Sequence, residues 1–469
     1  MDFSAANSSL WSFILQMGIL AGMMLLANTI MRKVGFIRKT LIPTSVLAGF
    51  IALITRSTGL LYIDGDFLEM VTYHTIGIGF IALSLRIPQK ASETERGDFA
   101  SLKSGALIVS TYLIQGIVGL VISIVLSMTL LPGFFKASGI LLPMGYGQGP
   151  GQANNVGSTY EQLGFVGGQS FGLSLAASGF LCACVVGVFY INVLNRRQKL
   201  KRQDHEYVSG SVTVEDFQNK NEIPVSQSVD RLSMQVALVL LIYLATYLLS
   251  LGITSFLAAN APGLSKTISP LIWGFNFIIG SLLAIGCRLG FVALTKARLM
   301  TRQYPNNYLL SRISGSAFDF MTIAGIASID FKDLRGLWIP FSLMAVAGGV
   351  VTFIYLKWIC KKIYPSYEHE GMVSMYGMLT GTISSGVLLL REIDPSFKTP
   401  AANNLLTGSS FAIVLGAPML VLIGMAPESD SMLFITLGLL CVYLVPLLLI
   451  MLKIRRRKGN EKGNGQGAE

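Results

Sequence analysis

Two short stretches carry the residue types that bind ions and small polar solutes. The first reads Gly145-Tyr146-Gly147-Gln148-Gly149-Pro150-Gly151-Gln152-Ala153-Asn154-Asn155, the second Thr380-Gly381-Thr382-Ile383-Ser384-Ser385-Gly386. Each sits just before an apolar segment. Glycine and proline break helices, and a broken helix leaves backbone groups without intrahelical partners. In lipid such backbone is tolerated only where it lines a cavity inside protein. The first stretch adds amide groups from Gln148, Gln152, Asn154 and Asn155, and the second adds hydroxyls from Thr380, Thr382, Ser384 and Ser385. Sodium is a hard cation that takes such oxygen ligands, and a helix N-terminus attracts an anionic group. A packing turn would account for Gly147, Gly149 and Gly151, but not for two glutamines and two asparagines at membrane depth. For the second stretch the competing reading is Ser and Thr bonding back to their own helix.

The elements that must position these stretches are membrane spans. The chain is 52% hydrophobic and 13% charged, with a mean hydropathy of +0.60. Apolar runs long enough to cross a bilayer recur throughout. Eleven spans are expected, near 10–31, 41–62, 70–86, 104–130, 168–194, 232–257, 269–287, 312–329, 336–359, 399–425 and 431–452. The third and eighth are the shortest. The two stretches fall outside these spans, as re-entrant hairpins near 137–160 and 371–396. No secretory signal is expected, because Asp2 is the only charge before Arg32 and the first apolar run is long enough to span.

Charge counting gives the orientation. With eleven crossings and an outside N-terminus, 31 of the 36 Lys and Arg residues fall on the cytoplasmic side, leaving Arg56, Lys136, Lys266, Lys332 and Arg335. One missed span would invert everything after it, so this bias supports the span count and a cytoplasmic C-terminus. It also accounts for the net charge of +11 without nucleic acid. The terminal run Lys453-Ile454-Arg455-Arg456-Arg457-Lys458 reads as an anchor against anionic lipid. The chain is thus expected to be a multi-pass protein of the cytoplasmic membrane. Cys182, Cys184, Cys287, Cys360 and Cys441 fall in or at the ends of spans and read as packing residues, with no disulfide framework.

The polar segment 195–231 divides the chain into a first repeat (1–194) and a second (232–425), with an extra span and basic tail over 426–469. Each half has five spans. Five is odd, so the second half must run upside down: an all-α 5+5 inverted-topology repeat. Pro43 and Pro270 open the second span of each half. Asn154-Asn155 and Asn403-Asn404 stand at or after the two hairpins. The fifth spans begin Ser170-Phe171-Gly172 and Ser410-Phe411-Ala412. Broken segments in corresponding positions of two such halves point to a transporter's binding site.

Other candidates lie outside the hairpins. Asp319, within the eighth span, is a lone intramembrane acid that could balance a cation, or be a wet carboxylate paired with Arg312. Arg391 has the geometry to pair a carboxylate, with Glu392 and Asp394 offering a plain salt bridge instead. Asn403 and Asn404 start the tenth span as ligands or caps. His74, beside Tyr73, reads as an interfacial aromatic position rather than a proton relay. His205 and His369 fall in cytoplasmic segments.

The stretch Gly147-Gln148-Gly149-Pro150-Gly151-Gln152-Ala153 resembles the Gly-His-Gly-Thr-Gly-Ala-Ala loop of the bacterial sodium–glutamate symporter family. Gly164-Phe165, Phe171-Gly172-Leu173 and Ile42-Pro43 follow the family pattern at similar spacing. Three features depart from it: Gln148 stands where the family has histidine, the second hairpin has its own pattern, and an eleventh span is present. The resemblance implies a sodium-coupled symporter of glutamate or a related small amino acid or carboxylate. It also implies a homodimer and an elevator-like movement of one domain against a scaffold. Sodium would be the coupling ion, with no other cofactor and no catalytic residues. A proton-coupled carrier or exporter on the same fold is the nearest rival and would depend on a titrating carboxylate such as Asp319. An intramembrane enzyme would need a cluster of acids, bases or metal ligands that this sequence lacks at membrane level. A channel would not need two opposed hairpins.

Overall fold

The structure, a computed structural model, describes residues 4, 7–39, 41–87, 99–196, 229–262, 265, 269, 272–274, 276–300, 304–394 and 399–453. Most of the polar linker with His205, Pro270, Lys266 and the basic tail from 454 onward lie outside the described residues, as does the side chain of Ser384.

Among the described residues the chain is all-helical. The helices are α1 (Ser8–Lys33), a short α2 (Gly35–Lys39), α3 (Thr44–Ser57), α4 (Gly65–Leu85), α5 (Ala100–Met128), α6 (Leu141–Tyr146), α7 (Pro150–Gln162), α8 (Gly168–Arg196), α9 (Val229–Asn260), α10 (Asn276–Lys296), α11 (Asn307–Ala327), α12 (Trp338–Ile363), α13 (Glu368–Thr380), α14 (Ile383–Arg391), α15 (Ala401–Met425) and α16 (Asp430–Lys453). Eight of them, α1, α4, α5, α8, α9, α10, α12 and α16, are long and apolar enough to cross a membrane. The pair Ala401–Ser409 and Phe411–Met425, bent by 44°, makes a ninth if taken as one span. Helices also stand at the two remaining expected spans. However, α3 has only 14 residues, and Ser311, Arg312, Ser314, Ser316 and Asp319 lower the apolar content of α11.

Most helix ends fall within about five residues of the expected ones, and two of the differences have a clear local reason. At the seventh expected span, α10 runs on to Lys296 instead of stopping before Arg288, because the Arg288 guanidinium donates to the carbonyls of Ser84 (3.2 Å) and Arg86 (3.1 Å) at the end of α4. A cation is stabilised against a helix C-terminus. At the eighth expected span, α11 begins at Asn307, since the Asn306 side chain caps it by accepting from the Leu309 amide at 2.9 Å.

The helices pack as two groups. In the first, α4 lies against both α10 and α11, α3 lies against α11, α1 covers α3, and α9 covers α10. In the second, α5 carries α12, α15 and α16, and α8 carries α6, α7 and α13. At one end of the bundle the Arg56 guanidinium donates to the Ala327 carbonyl at 3.1 Å. At the other, Ile87 and Asn307 exchange two hydrogen bonds of 2.8 Å. The second group holds the main core, where buried tyrosines tie the broken helices to the full-length ones. Tyr146 donates to the Ala345 carbonyl of α12 (2.5 Å), and Tyr160 donates to the Ile423 carbonyl of α15 (2.8 Å). A buried phenol needs such an acceptor, so each bond fixes one arm of the first hairpin.

Candidate functional site

The first hairpin spans Lys136–Gln162 and the second Glu368–Arg391, within a few residues of the expected bounds. In the first, α6 stops at Gly147 and α7 starts after Gly149, whose backbone sits at φ 86°, ψ −176°. That region is open essentially to glycine alone. Pro150 then sets the first helical residue. In the second, α13 ends at Thr380 and α14 starts after an extended Thr382. The arms of this hairpin close on each other through glycine: a Cβ on Gly377 would stand 2.8 Å from Gly386 Cα.

The two tips meet. A Cβ on Gly149 would lie 3.7 Å from the Gly381 carbonyl oxygen and 3.8 Å from Thr382 Cγ2. Neither α7 nor α14 has a side-chain cap. The amides of Ala153 and Gly386 are taken by the carbonyls of Gly149 and Thr382. The helical pattern therefore leaves the amides of Gly151, Gln152, Ile383, Ser384 and Ser385 without intrahelical acceptors, at the positive end of each helix. The C-terminal carbonyls of α6 and α13 end at the same junction, so donors and acceptors converge on it.

Beside the junction lies a cavity of about 150 Å³. Gly147, Gln148, Gln152, Gly381, Thr382 and Ile383 line it from the hairpins, and α4, α5, α10, α11 and α15 close the rest. Gln152 is 1% exposed, and neither its amide oxygen nor its amide nitrogen has a hydrogen-bond partner. An unmade buried hydrogen bond costs about 1–3 kcal/mol, so this side chain is held at a cost that a bound polar group would relieve. The Ser385 hydroxyl, also buried in the second tip, has no partner either.

The other expected residues fall elsewhere. Asn154 accepts from the Gln169 side chain at 2.8 Å, and Asn155 donates to the Gly274 carbonyl at 2.8 Å. Asn155 faces a second cavity of about 740 Å³ that also contains Asp66, Glu69 and His74. His74 meets the Tyr243 hydroxyl at 2.8 Å. Thr380 bonds back to the Tyr376 carbonyl, as its competing reading held. Asn403 is exposed. Asn404 donates to the Tyr367 hydroxyl at 2.7 Å; both sit inside the first turn of α15 behind Pro400, not at its cap. Asp319 hydrogen-bonds Ser45 on α3 and does not line the hairpin cavity. Arg391 ends α14 and likewise lies off the cavity.

Two residues the sequence reading missed belong to the site. Tyr112 of α5 lines the cavity, and Gln115, one turn on, stands behind Gly147. The Gln115 amide donates to Thr352 Oγ1 (2.8 Å) and to the Leu379 carbonyl (3.0 Å), joining α5, α12 and the second hairpin. Its buried oxygen has no partner. A glutamine in mid-span was the available signal. Among the described residues no cluster of His, Cys, Asp or Glu could hold a metal ion, and the cysteines are free thiols. Compared with models of known protein families and with characterised proteins, the chain matches none.

Proposed function

We propose that this protein is a secondary active transporter that carries a small carboxylate-bearing solute across the cytoplasmic membrane together with sodium. The observation that carries this reading is the meeting of two broken-helix tips at a cavity lined by a buried, unpartnered Gln152. Free amides at the starts of α7 and α14 suit a carboxylate, and the carbonyls at the ends of α6 and α13, with Gln148 and Thr382, suit a sodium ion. Such sites at paired discontinuous helices are the common plan of secondary transporters.

The packing pairs agree with an inverted repeat. Matching α1, α3, α4, α5 and α8 with α9, α10, α11, α12 and α15, the contact of α3 with α11 mirrors that of α10 with α4, and the contact of α1 with α3 mirrors that of α9 with α10. On this reading the group α1, α3, α4, α9, α10 and α11 is the scaffold, the hairpin group moves against it, and a homodimer forms on the scaffold. On the charge bias of the sequence, the C-terminal end of α16 faces the cytoplasm.

Sodium is favoured over a proton because, among the described residues, no carboxylate lines the cavity. Each net positive charge carried inward gains about 2.3 kcal/mol per 100 mV. One sodium with a monoanion draws on the sodium gradient alone, whereas two sodium ions with a monoanion, or one with a zwitterion, draw on the potential as well. The test is uptake into proteoliposomes with imposed sodium or proton gradients. Accumulation that needs sodium and is indifferent to the proton gradient supports this assignment; dependence on the proton gradient alone sinks it.

A further inference from the structure

We infer that the transported substrate bears one carboxylate on an apolar body and is not a dicarboxylate such as glutamate. This rests on the transport reading and narrows it. Among the described residues the cavity is lined by no Asp, Glu, Lys, Arg or His. The polar side chains gather at the hairpin junction, where Gln148, Gln152 and Thr382 stand, joined by Tyr112 of α5, whose ring lies against Gly147. The hydroxyls of Ser281 and Ser409, on the other walls, donate their hydrogens to the carbonyls of Phe277 and Leu405 in their own helices, so neither has a hydrogen left for a second carboxylate.

The wall away from the junction is aromatic and thioether. Phe80 packs its ring against Phe277 and against Phe318, both at 5.3 Å between centroids. Met419 completes it, while Met378, on α13, and Met321, whose sulfur would stand 2.7 Å from a Cβ on Gly151, line the cavity beside the tips. Phenylalanine edges and faces receive an apolar body, and methionine adapts to its outline. A space near 150 Å³ with apolar walls admits a ring of benzene size.

The two helix N-termini converge at the Gly149–Gly381 junction, so they serve one carboxylate. A second carboxylate placed against Phe80, Phe277 and Phe318 would be desolvated with no counter-charge, which is costly. An ammonium is a different case, because the carbonyls at the ends of α6 and α13 lie beside the amides. Both a simple monocarboxylate and a neutral amino acid with an apolar side chain therefore have the required chemistry.

The experiment uses the full chain, purified and also reconstituted. Phenylacetate, phenylalanine and glutamate are each titrated in sodium and in choline buffers, with thermal shift as the binding readout and labelled uptake as the transport readout. The expected result is sodium-dependent binding of phenylacetate or phenylalanine, with glutamate at least about a hundredfold weaker. Preference for phenylalanine over phenylacetate identifies the amino acid as the source of the carboxylate, and the reverse identifies the simple acid. Tighter binding of glutamate than of both others overturns the inference and leaves the transport reading standing. Binding of phenylacetate or phenylalanine without sodium-driven uptake keeps the inference about the site and removes the transport reading. Binding of none of the three overturns the inference.

Discussion

Gly149 and Gly381 face each other across the gap between the two hairpins, so close that a Cβ on the first would stand 3.7 Å from the carbonyl oxygen of the second. Space is not what requires glycine at 149; the backbone is. At φ 86° and ψ −176° an L side chain is strained by about 1–3 kcal/mol. Gly149→Ala should therefore fold with a lowered melting temperature and bind substrate weakly, because relief of the strain rotates the first turn of α7. Unchanged melting together with unchanged sodium-dependent uptake would show that the tip geometry is not needed.

Gln152 sets stability against function. Its amide is buried and unpartnered, while methionine has a similar volume and no amide to satisfy. Gln152→Met should raise the melting temperature of the ligand-free protein by relieving about 1–3 kcal/mol of unmade hydrogen bonding. The same change should abolish the ligand-induced thermal shift. A variant that melts lower and still transports would place Gln152 in the packing alone.

Asp319 tests the coupling ion. It hydrogen-bonds Ser45 and stands off the hairpin cavity, although its neighbour Phe318 lines it. Asp319→Asn keeps the shape and most of the hydrogen-bonding capacity, so sodium-dependent uptake and its KM should stay within about twofold, the scale of a conservative change away from the site. Loss of uptake in this variant, with binding retained, would favour proton coupling.

Glu161 gives a pH dependence of folding. It lies at the end of α7, outside the membrane-crossing helices, half-buried, and accepts from the Gln169 amide at 3.1 Å. Burial raises its carboxyl above the ordinary range, and the nearby charges of Asp333 and Glu69 push the same way. An acid with a raised value in the folded state holds its proton more tightly there than in the unfolded chain. Its contribution to stability therefore falls as pH rises through that window. Glu161→Gln should melt higher than the parent at pH 8, and the difference should shrink toward pH 5. A difference that stays constant across this range would remove the carboxylate from the account.

The helices and both hairpins were legible in the sequence because Gly, Pro and apolar length act locally. Residues 137–160 and 371–396 were expected, and 136–162 and 368–391 are found. Facing was harder to read. Successive residues of a helix point about 100° apart, so Phe318 reaches the cavity and Asp319 reaches α3, a difference that only the neighbouring helices decide. Asn154 and Asn404 are polar at the right depth, yet Gln169 and Tyr367 claim them. Tyr112 and Gln115 reach the site from α5, far from either motif in sequence; a glutamine in mid-span flags Gln115 as unusual, but nothing local ties it or Tyr112 to the hairpins.

Movement of the hairpin group against the scaffold can be tested where the two touch. A Cβ on Gly325 of α11 would lie 2.8 Å from Cβ of Pro150 at the start of α7. Disulfides hold their Cβ atoms about 3.5–4.5 Å apart, so a cysteine pair here needs only a small separation to close. In a background with the exposed Cys441 replaced by serine, Pro150→Cys with Gly325→Cys should crosslink on oxidation. If transport requires α7 to slide past α11, the oxidised protein should keep its substrate-induced thermal shift and lose uptake, and reductant should restore uptake. Each single variant controls for the loss of proline or glycine. Full uptake by the crosslinked protein would mean that the substrate passes without relative movement at this contact, and the elevator reading would then give way to local opening of the hairpins.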